Sequence, residues 1–326
     1  MEKLLVPVVH GAALDRPDEA DTVVTAEAVA AGLQRLGFAT KIVALTAGLG
    51  VLENLAAARP FIVFNLVEAL DGEAAKAPLA MARLEALGIA YTGVHAAAYA
   101  QSNSKLDTKR ALARHRIPTP AFWRADDDVP GNVTVIVKSI DEHGSLGMDQ
   151  GSIVKGVEAK AEIARREREF GGFFFAEEYI EGREFNVSVI ETREGAQVLP
   201  IAEIDFTGLP SGQHAIVDFA AKWEPDAPAY HLTPRRFGLD VAEPSLAAQI
   251  RRLTLACWRA FDLTGYARVD FRVGADGVPY VLEVNANPCL APDAGFAAAA
   301  AEAGFTYDAL IAAIVDVGAH TQRMVA

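Results

Sequence analysis

The chain has 326 residues, of which 51% are hydrophobic, 22% charged and 8% aromatic, proportions that exclude a disordered or fibrous chain and suit about two folded, water-soluble domains. Against 43 Asp and Glu stand 30 Lys and Arg, a formal net charge of −13, so the averaged surface repels nucleic-acid backbones and anionic lipid headgroups and neither is expected as a partner. Two cysteines, Cys257 and Cys289, are too few for a disulfide framework and form no C-x-x-C pair, which points to a reducing cytoplasm. The apolar run after Met1 is too short for a signal peptide, and no stretch of 18 apolar residues predicts a membrane span.

Through residue 95, short apolar runs at 4–9, 41–45 and 61–67 alternate with Ala-rich amphipathic stretches at 20–36, 49–58 and 73–87. This alternation predicts parallel strands joined by crossover helices, a doubly wound α/β unit over 1–95. Its Ala-rich helices either pack the core or offer a homodimer interface. The second region, 96–184, starts with a helix at 104–115, stopped by Pro118 and Pro120, and continues with a strand at 133–137, a glycine-containing turn Gly144-Ser145-Leu146-Gly147, a helix at 157–169 and a strand at 173–178. The third, 185–326, reads as antiparallel strands, a long irregular stretch at 208–233, a helix at 244–261, a hairpin at 265–284 and a final helix at 307–317. An irregular stretch of that length suggests a lid or binding loop.

The hairpin is the most informative passage. Two alternating runs, 266–273 and 278–285, flank Gly274-Ala275-Asp276-Gly277. Across a connection of even length, opposed residues have numbers with an odd sum, which places Arg268, Asp270, Glu283 and Asn285 on one face. Val269, Phe271, Val273, Leu282 and Val284 then form the apolar face. Two carboxylates beside an amide oxygen are hard ligands suited to magnesium, or manganese in its place. A solvated strand face is the commoner fate of an isolated Asp and Glu. The polar, proline-turned ending Asn285-Ala286-Asn287-Pro288 favours the metal reading.

These motifs resemble the ATP-grasp superfamily, and within it the D-alanine–D-alanine ligases, whose last hairpin reads R-x-D, then E-x-N, then x-x-P-G. Here the matching residues are Arg268-Val269-Asp270, Glu283-Val284-Asn285 and Asn287-Pro288-Cys289, and the likeness extends to Tyr91-Thr92-Gly93 and to the segment Glu177 to Phe185. The resemblance implies an ATP-grasp fold, mixing α/β and α+β parts, behind the N-terminal doubly wound domain. It implies an ATP- and magnesium-dependent carboxylate–amine ligase acting through an acyl phosphate on small amino-acid or peptide substrates. Lys105 and Lys138 would contact the nucleotide phosphates, with the Gly144 to Gly147 loop and its Ser145 folded over them. Glu177, Tyr179 and Ile180 would line the adenine site, Glu184 would hold the ribose hydroxyls, and Lys222 would reach the terminal phosphate from the lid. Asp270, Glu283 and Asn285 would hold the metal, and Arg268 would face the tetrahedral intermediate. An exposed lysine is the plainer alternative for Lys138 and Lys222, and Glu178 and Glu181 read as solvated strand-end charges.

The substrate end departs from that pattern. The N-terminal loop lacks the family's serine and offers Asp18 or Glu19 for the first ammonium, although either also suits a helix N-terminus. Glu68 stands in a segment that replaces a histidine–glycine pair, Cys289 replaces a glycine, and Ala294 falls where a serine would bind the second carboxylate. A ligase for another amino-acid or peptide pair is therefore the runner-up, ahead of a non-catalytic nucleotide-binding regulator. An oxidoreductase is disfavoured, because no G-x-G-x-x-G follows the first strand.

Overall fold

The computed structural model describes residues 3–12, 17–142, 144–224 and 226–325, with the side chains of 17–20 and 321–325 excepted. The first segment alternates β1 (Val8–Gly11), α1 (Pro17–Arg35), β2 (Ile42–Leu45), α2 (Val51–Ala57), β3 (Phe64–Asn65) and α3 (Pro78–Ala86). Its strands are parallel in the order β2-β1-β3. Val9 packs with Leu52, Leu55, Met81 and Leu84 of α2 and α3, while Val8 packs with Ala26, Val29 and Leu33 of α1. Helices on both faces explain why β1 reads as an unbroken apolar run. Helix α3 starts at Pro78 rather than at residue 73, since proline needs no hydrogen-bond partner in the first turn.

The second segment opens with α4 (Ala96–Asn103) and α5 (Lys105–Arg114) and continues through β4 (Phe122–Trp123), β5 (Thr134–Ser139), β6 (Ile153–Lys155), α6 (Ala159–Phe170) and β7 (Phe174–Glu178). The strands form an antiparallel sheet in the order β4-β7-β5-β6. Alternation along β5 sends Val135 and Val137 onto Ile163 of α6, and turns Ile136 and Lys138 to a large cavity on the other side.

The third segment contains β8 (Arg183–Thr192), β9 (Gly195–Val198), β10 (Ala202–Ile204), α7 (Phe219–Trp223), α8 (Pro228–His231), β11 (Arg235–Arg236), α9 (Leu239–Ala242), α10 (Pro244–Ala260), β12 (Tyr266–Val273), β13 (Pro279–Ala286), α11 (Gly295–Glu302) and α12 (Tyr307–Val325). Its antiparallel sheet has the order β11-β10-β8-β12-β13, with β9 also on β8. Ile250, Leu253 and Cys257 of α10 cover the apolar face around Val269, Phe271 and Val284. The stretch read as irregular at 208–233 holds the short helices α7 and α8. Helix α12 returns to the first segment, where Arg35 Nε and Nη2 donate to the Asp308 carboxylate at 2.8 and 2.6 Å.

The hairpin reaches its expected face by two compensating irregularities. Residues 274–278 join the paired Val273 and Pro279, an odd connection that puts Phe271 opposite Val281. A β-bulge then supplies one extra residue in β13, so that Asp270 opposes Glu283 and Arg268 opposes Asn285. The extra residue is Leu282. It leaves the apolar face assigned to it and lines the cavity, while Val281 takes the core position and is fully buried.

Candidate active site

A cavity of about 780 Å³ lies where the three segments meet. Every residue proposed for the site from the sequence lines it, except Asp18 and Glu19, whose side chains fall outside the described residues. Glycine brings the walls together at two points. A Cβ on Gly11, at the end of β1, would lie 2.1 Å from Ala69 O beside Glu68. Gly93 has φ +95°, and a Cβ there would lie 2.1 Å from Asn287 Oδ1, which also accepts from Val94 N at 3.2 Å. Tyr91-Thr92-Gly93 and the hairpin's polar ending are thus parts of one contact.

On β12 and β13 the charged groups are already in contact. Arg268 donates from Nε and Nη2 to Asp270 Oδ1 and Oδ2 at 2.8 and 2.7 Å. Asn285 Nδ2 donates to Asp270 Oδ2 at 3.0 Å and to Glu283 Oε1 at 3.1 Å. Both carboxylates therefore accept from one amide nitrogen, and their oxygens, side by side, are hard donors of the kind a small divalent cation takes. Burial pushes the Asp270 carboxyl up to about 6, against the opposing pull of Arg268. Among the described residues no group of three His, Cys, Asp or Glu forms a metal cage, so a cation bound here needs further oxygens from a ligand such as a polyphosphate.

Three lysines converge on the same space. Lys105 Nζ donates to Glu142 O at 2.5 Å, and Lys138 Nζ donates to Glu177 Oε2 at 2.5 Å. Burial lowers the pKa of Lys105 and of Lys222, and Glu283 acts on both in the opposite direction. An anion with several charges would relieve the repulsion among these ammonium groups.

The glycine-bearing loop and the irregular stretch are latched together. Ser145, with φ 65°, donates from Oγ to Val217 O at 2.8 Å, Trp223 Nε1 donates to Gly144 O at 2.7 Å, and Phe219 N donates to Met148 O at 3.1 Å. Asp218 caps α7 by accepting from Ala221 N at 2.9 Å, which orients the helix that carries Lys222. The described residues of the 208–233 stretch therefore close over the Gly144 to Gly147 loop and the cavity that Lys105 and Lys138 line. Adding a nonhydrolysable ATP analogue is expected to shift the tryptophan emission, and Trp223→Phe is expected to remove most of that shift. An undiminished shift in the variant would count against coupling between this latch and nucleotide binding.

At the hinge, Glu177, expected at the adenine site, lines the cavity, and its carboxylate is buried between Lys109 and Lys138, paired with both. Burial alone would raise its pKa, yet the two ammonium groups outweigh burial and hold it below the usual carboxylate range. Tyr179 and Ile180 do line the cavity. Glu184 is 3.3 Å from Arg272 Nε, and Arg272 also donates to Gly182 O at 2.8 Å and to Ala215 O, tying hinge to lid. Glu178, read as a solvated strand-end charge, is half-buried and lines the cavity; Glu181 is exposed as expected.

The substrate end holds Glu68 and Cys289. Cys289 Sγ donates to Asp21 Oδ2 at 3.1 Å. Burial first, and then Glu68 and Asp21, push the Cys289 thiol up, so it stays protonated at neutral pH.

Comparison with known proteins agrees with this geometry. The family model described as D-ala D-ala ligase C-terminus matches residues 130–316. An uncharacterized protein, y4sG, of Sinorhizobium fredii is 30% identical over 304 residues, covering 90% of this chain and 86% of that protein. The D-alanine–D-alanine ligase of Gloeobacter violaceus is 31% identical over 315 residues, covering 93% of this chain and 96% of that enzyme. The chain belongs to the D-Ala-D-Ala ligase family. It is accordingly an ATP-dependent ligase that forms C–N bonds. Its fold matches that of the D-alanine–D-alanine ligase from Bacillus anthracis complexed with ATP, with a TM-score of 0.77 and 22% identity over 99% of this chain and 100% of that one.

Three residues of this ligase escaped the sequence reading although each carried a signal. Arg272 continues the period-2 series Arg268, Asp270 on β12. Lys109 lies one helical turn after Lys105 on α5. Asp21 lies one turn after Asp18 on α1.

Proposed function

We propose that this ligase condenses two molecules of D-alanine with ATP, using Mg2+ at the β12–β13 hairpin. One observation carries the reading: Lys105, Lys138 and Lys222 converge on the same cavity as the paired acids Asp270 and Glu283. A polyphosphate beside a cation is the ligand whose charges complement both sets at once. Asp270, Glu283 and Asn285 would hold the metal, which when bound spreads the negative charge of the phosphates.

The carboxylate of one D-alanine attacks the terminal phosphorus of ATP, a new O–P bond forms as the bond to ADP breaks, and an acyl phosphate results. The amine of the second D-alanine, after losing a proton, forms the C–N bond and inorganic phosphate leaves. The protein's part is positioning and charge neutralisation. Lys138, held by Glu177, and Lys105, held by Glu142, meet the phosphates from the core, and Lys222 closes on the terminal phosphate with the lid. Arg268 faces the charge that builds on the oxygen of the tetrahedral intermediate.

Names of relatives such as the Gloeobacter enzyme support D-alanine as the substrate. A second reading, ligation of a different amino-acid pair, is favoured by Cys289 and Ala294, which replace the expected glycine and serine at the substrate end. A site built around polar groups rejects analogues strongly, so the two readings separate in one assay. ADP release is measured against a panel of D- and L-amino acids. D-alanine is expected to give the highest rate, and no turnover with D-alanine would overturn the first reading.

A further inference from the structure

Arg235 borders the substrate end of the cavity on β11. Its one side-chain hydrogen bond among the described residues runs from Nη1 to Asp293 O at 3.2 Å, and among them it forms no ion pair. The adjacent Arg236, in contrast, is paired with Asp205. Of the other two guanidinium groups lining the cavity, Arg268 has both Nε and Nη2 committed to Asp270, and Arg272 is tied to Glu184, Gly182 O and Ala215 O. Burial of the guanidinium first, and then the charge of Arg268, lower the pKa of Arg235, and the nearby Asp293 offsets them only in part. Gly295 keeps the approach open, since even a Cβ there would lie 3.2 Å from Arg235 Nε. Next to it, Ala294 presents a methyl group where the family resemblance implies a carboxylate-binding serine. The acids Asp21 and Glu68 line the same cavity and suit an ammonium group.

We propose that Arg235 anchors the carboxylate of the amine-donating D-alanine, in place of the hydroxyl that Ala294 lacks. The proposal rests on the D-alanine reading above. A guanidinium presents parallel N–H donors that match a carboxylate, and its Nε and Nη2 have no partner among the described residues. Such an anchor discriminates steeply between a carboxylate and a neutral amide, because the amide offers no charge to pair.

The test supplies equal concentrations of D-alanine and D-alaninamide with ATP and magnesium, and compares the two products by mass spectrometry. D-alaninamide has no free carboxylate to phosphorylate, so it enters only as the amine. The wild-type chain is expected to favour dipeptide over dipeptide amide by about 100-fold, and Arg235→Gln to reduce that preference at least about tenfold. Arg236→Gln, on the same strand and outside the cavity lining, is expected to keep the wild-type ratio. An unchanged ratio in Arg235→Gln, or an equal fall in both variants, would overturn the proposal alone. Formation of neither product by the wild-type chain would overturn the D-alanine reading and take this proposal with it.

Discussion

Glu283→Gln is expected to lower kcat by about 10²- to 10³-fold, the range for losing one preorganised electrostatic contact to the reacting charge, while the chain stays folded. The Glu283 carboxylate shares the Asn285 amide with Asp270, at 3.1 and 3.0 Å. Glutamine keeps its size and one oxygen but removes the charge that a hard cation needs. Two effects on stability oppose each other: Glu283 is one of the charges that raise the Asp270 carboxyl, so neutralising it relieves like-charge repulsion, but it also stabilises the buried ammonium groups of Lys105 and Lys222, and the urea midpoint is expected to change little. Near-normal turnover in this variant would refute the metal assignment, and a collapsed midpoint would show that Glu283 serves folding instead.

Glu177→Gln is expected to be the most damaging change to stability, with a loss of about 3–5 kcal/mol at neutral pH, as found when one partner of a buried ion pair is removed. Lys109 and Glu177 are 0% and 1% exposed, and Glu177 also holds Lys138. Without the carboxylate, the fully buried Lys109 ammonium lies near that of Lys138 with no opposing charge between them, and Lys109 retains only Thr119 Oγ1 at 2.8 Å and Val281 O at 3.3 Å. The effect has a pH signature. Burial pushes the Lys109 ammonium down to about 8 from its ordinary 10.5. Between these values the folded chain binds fewer protons than the unfolded one, so the cost of burying Lys109 is complete below about 8 and fades as the pH rises toward 10.5. Removing Glu177 lowers the Lys109 value further. The deficit is therefore expected to be largest near neutrality and to shrink by pH 10 in urea unfolding. A deficit of constant size across that range would assign the loss to packing rather than to charge.

Much of this was legible in the residues themselves. Alternating apolar runs and Ala-rich stretches predicted the parallel sheet β2-β1-β3, because a strand with helices on both faces must be apolar throughout. The acidic hairpin was legible because strand periodicity fixes which side chains share a face. Its register was reached differently: the odd connection and the bulge in β13 cancel, and only Leu282 changes sides. A bulge of this kind depends on how β12 and β13 settle against α10, which alternation within one strand does not encode. Arg272 and Lys109 lay within reach of the same periodicity arguments, at the next position along the strand face and the next turn of the helix.

By itself the sequence determined what short-range periodicity controls: the order of strands and helices, the apolar faces, and the sharing of one sheet surface by Arg268, Asp270, Glu283 and Asn285. Tertiary structure alone decided what depends on partners far apart in the chain. The Glu177 carboxylate met Lys109 and Lys138, α12 returned to α1 through Arg35 and Asp308, and the lid reached the Gly144 to Gly147 loop through Trp223. The physical reason is that a buried charge takes the nearest opposite charge or hydrogen-bond partner available, and which groups become neighbours is settled only when the three segments pack together.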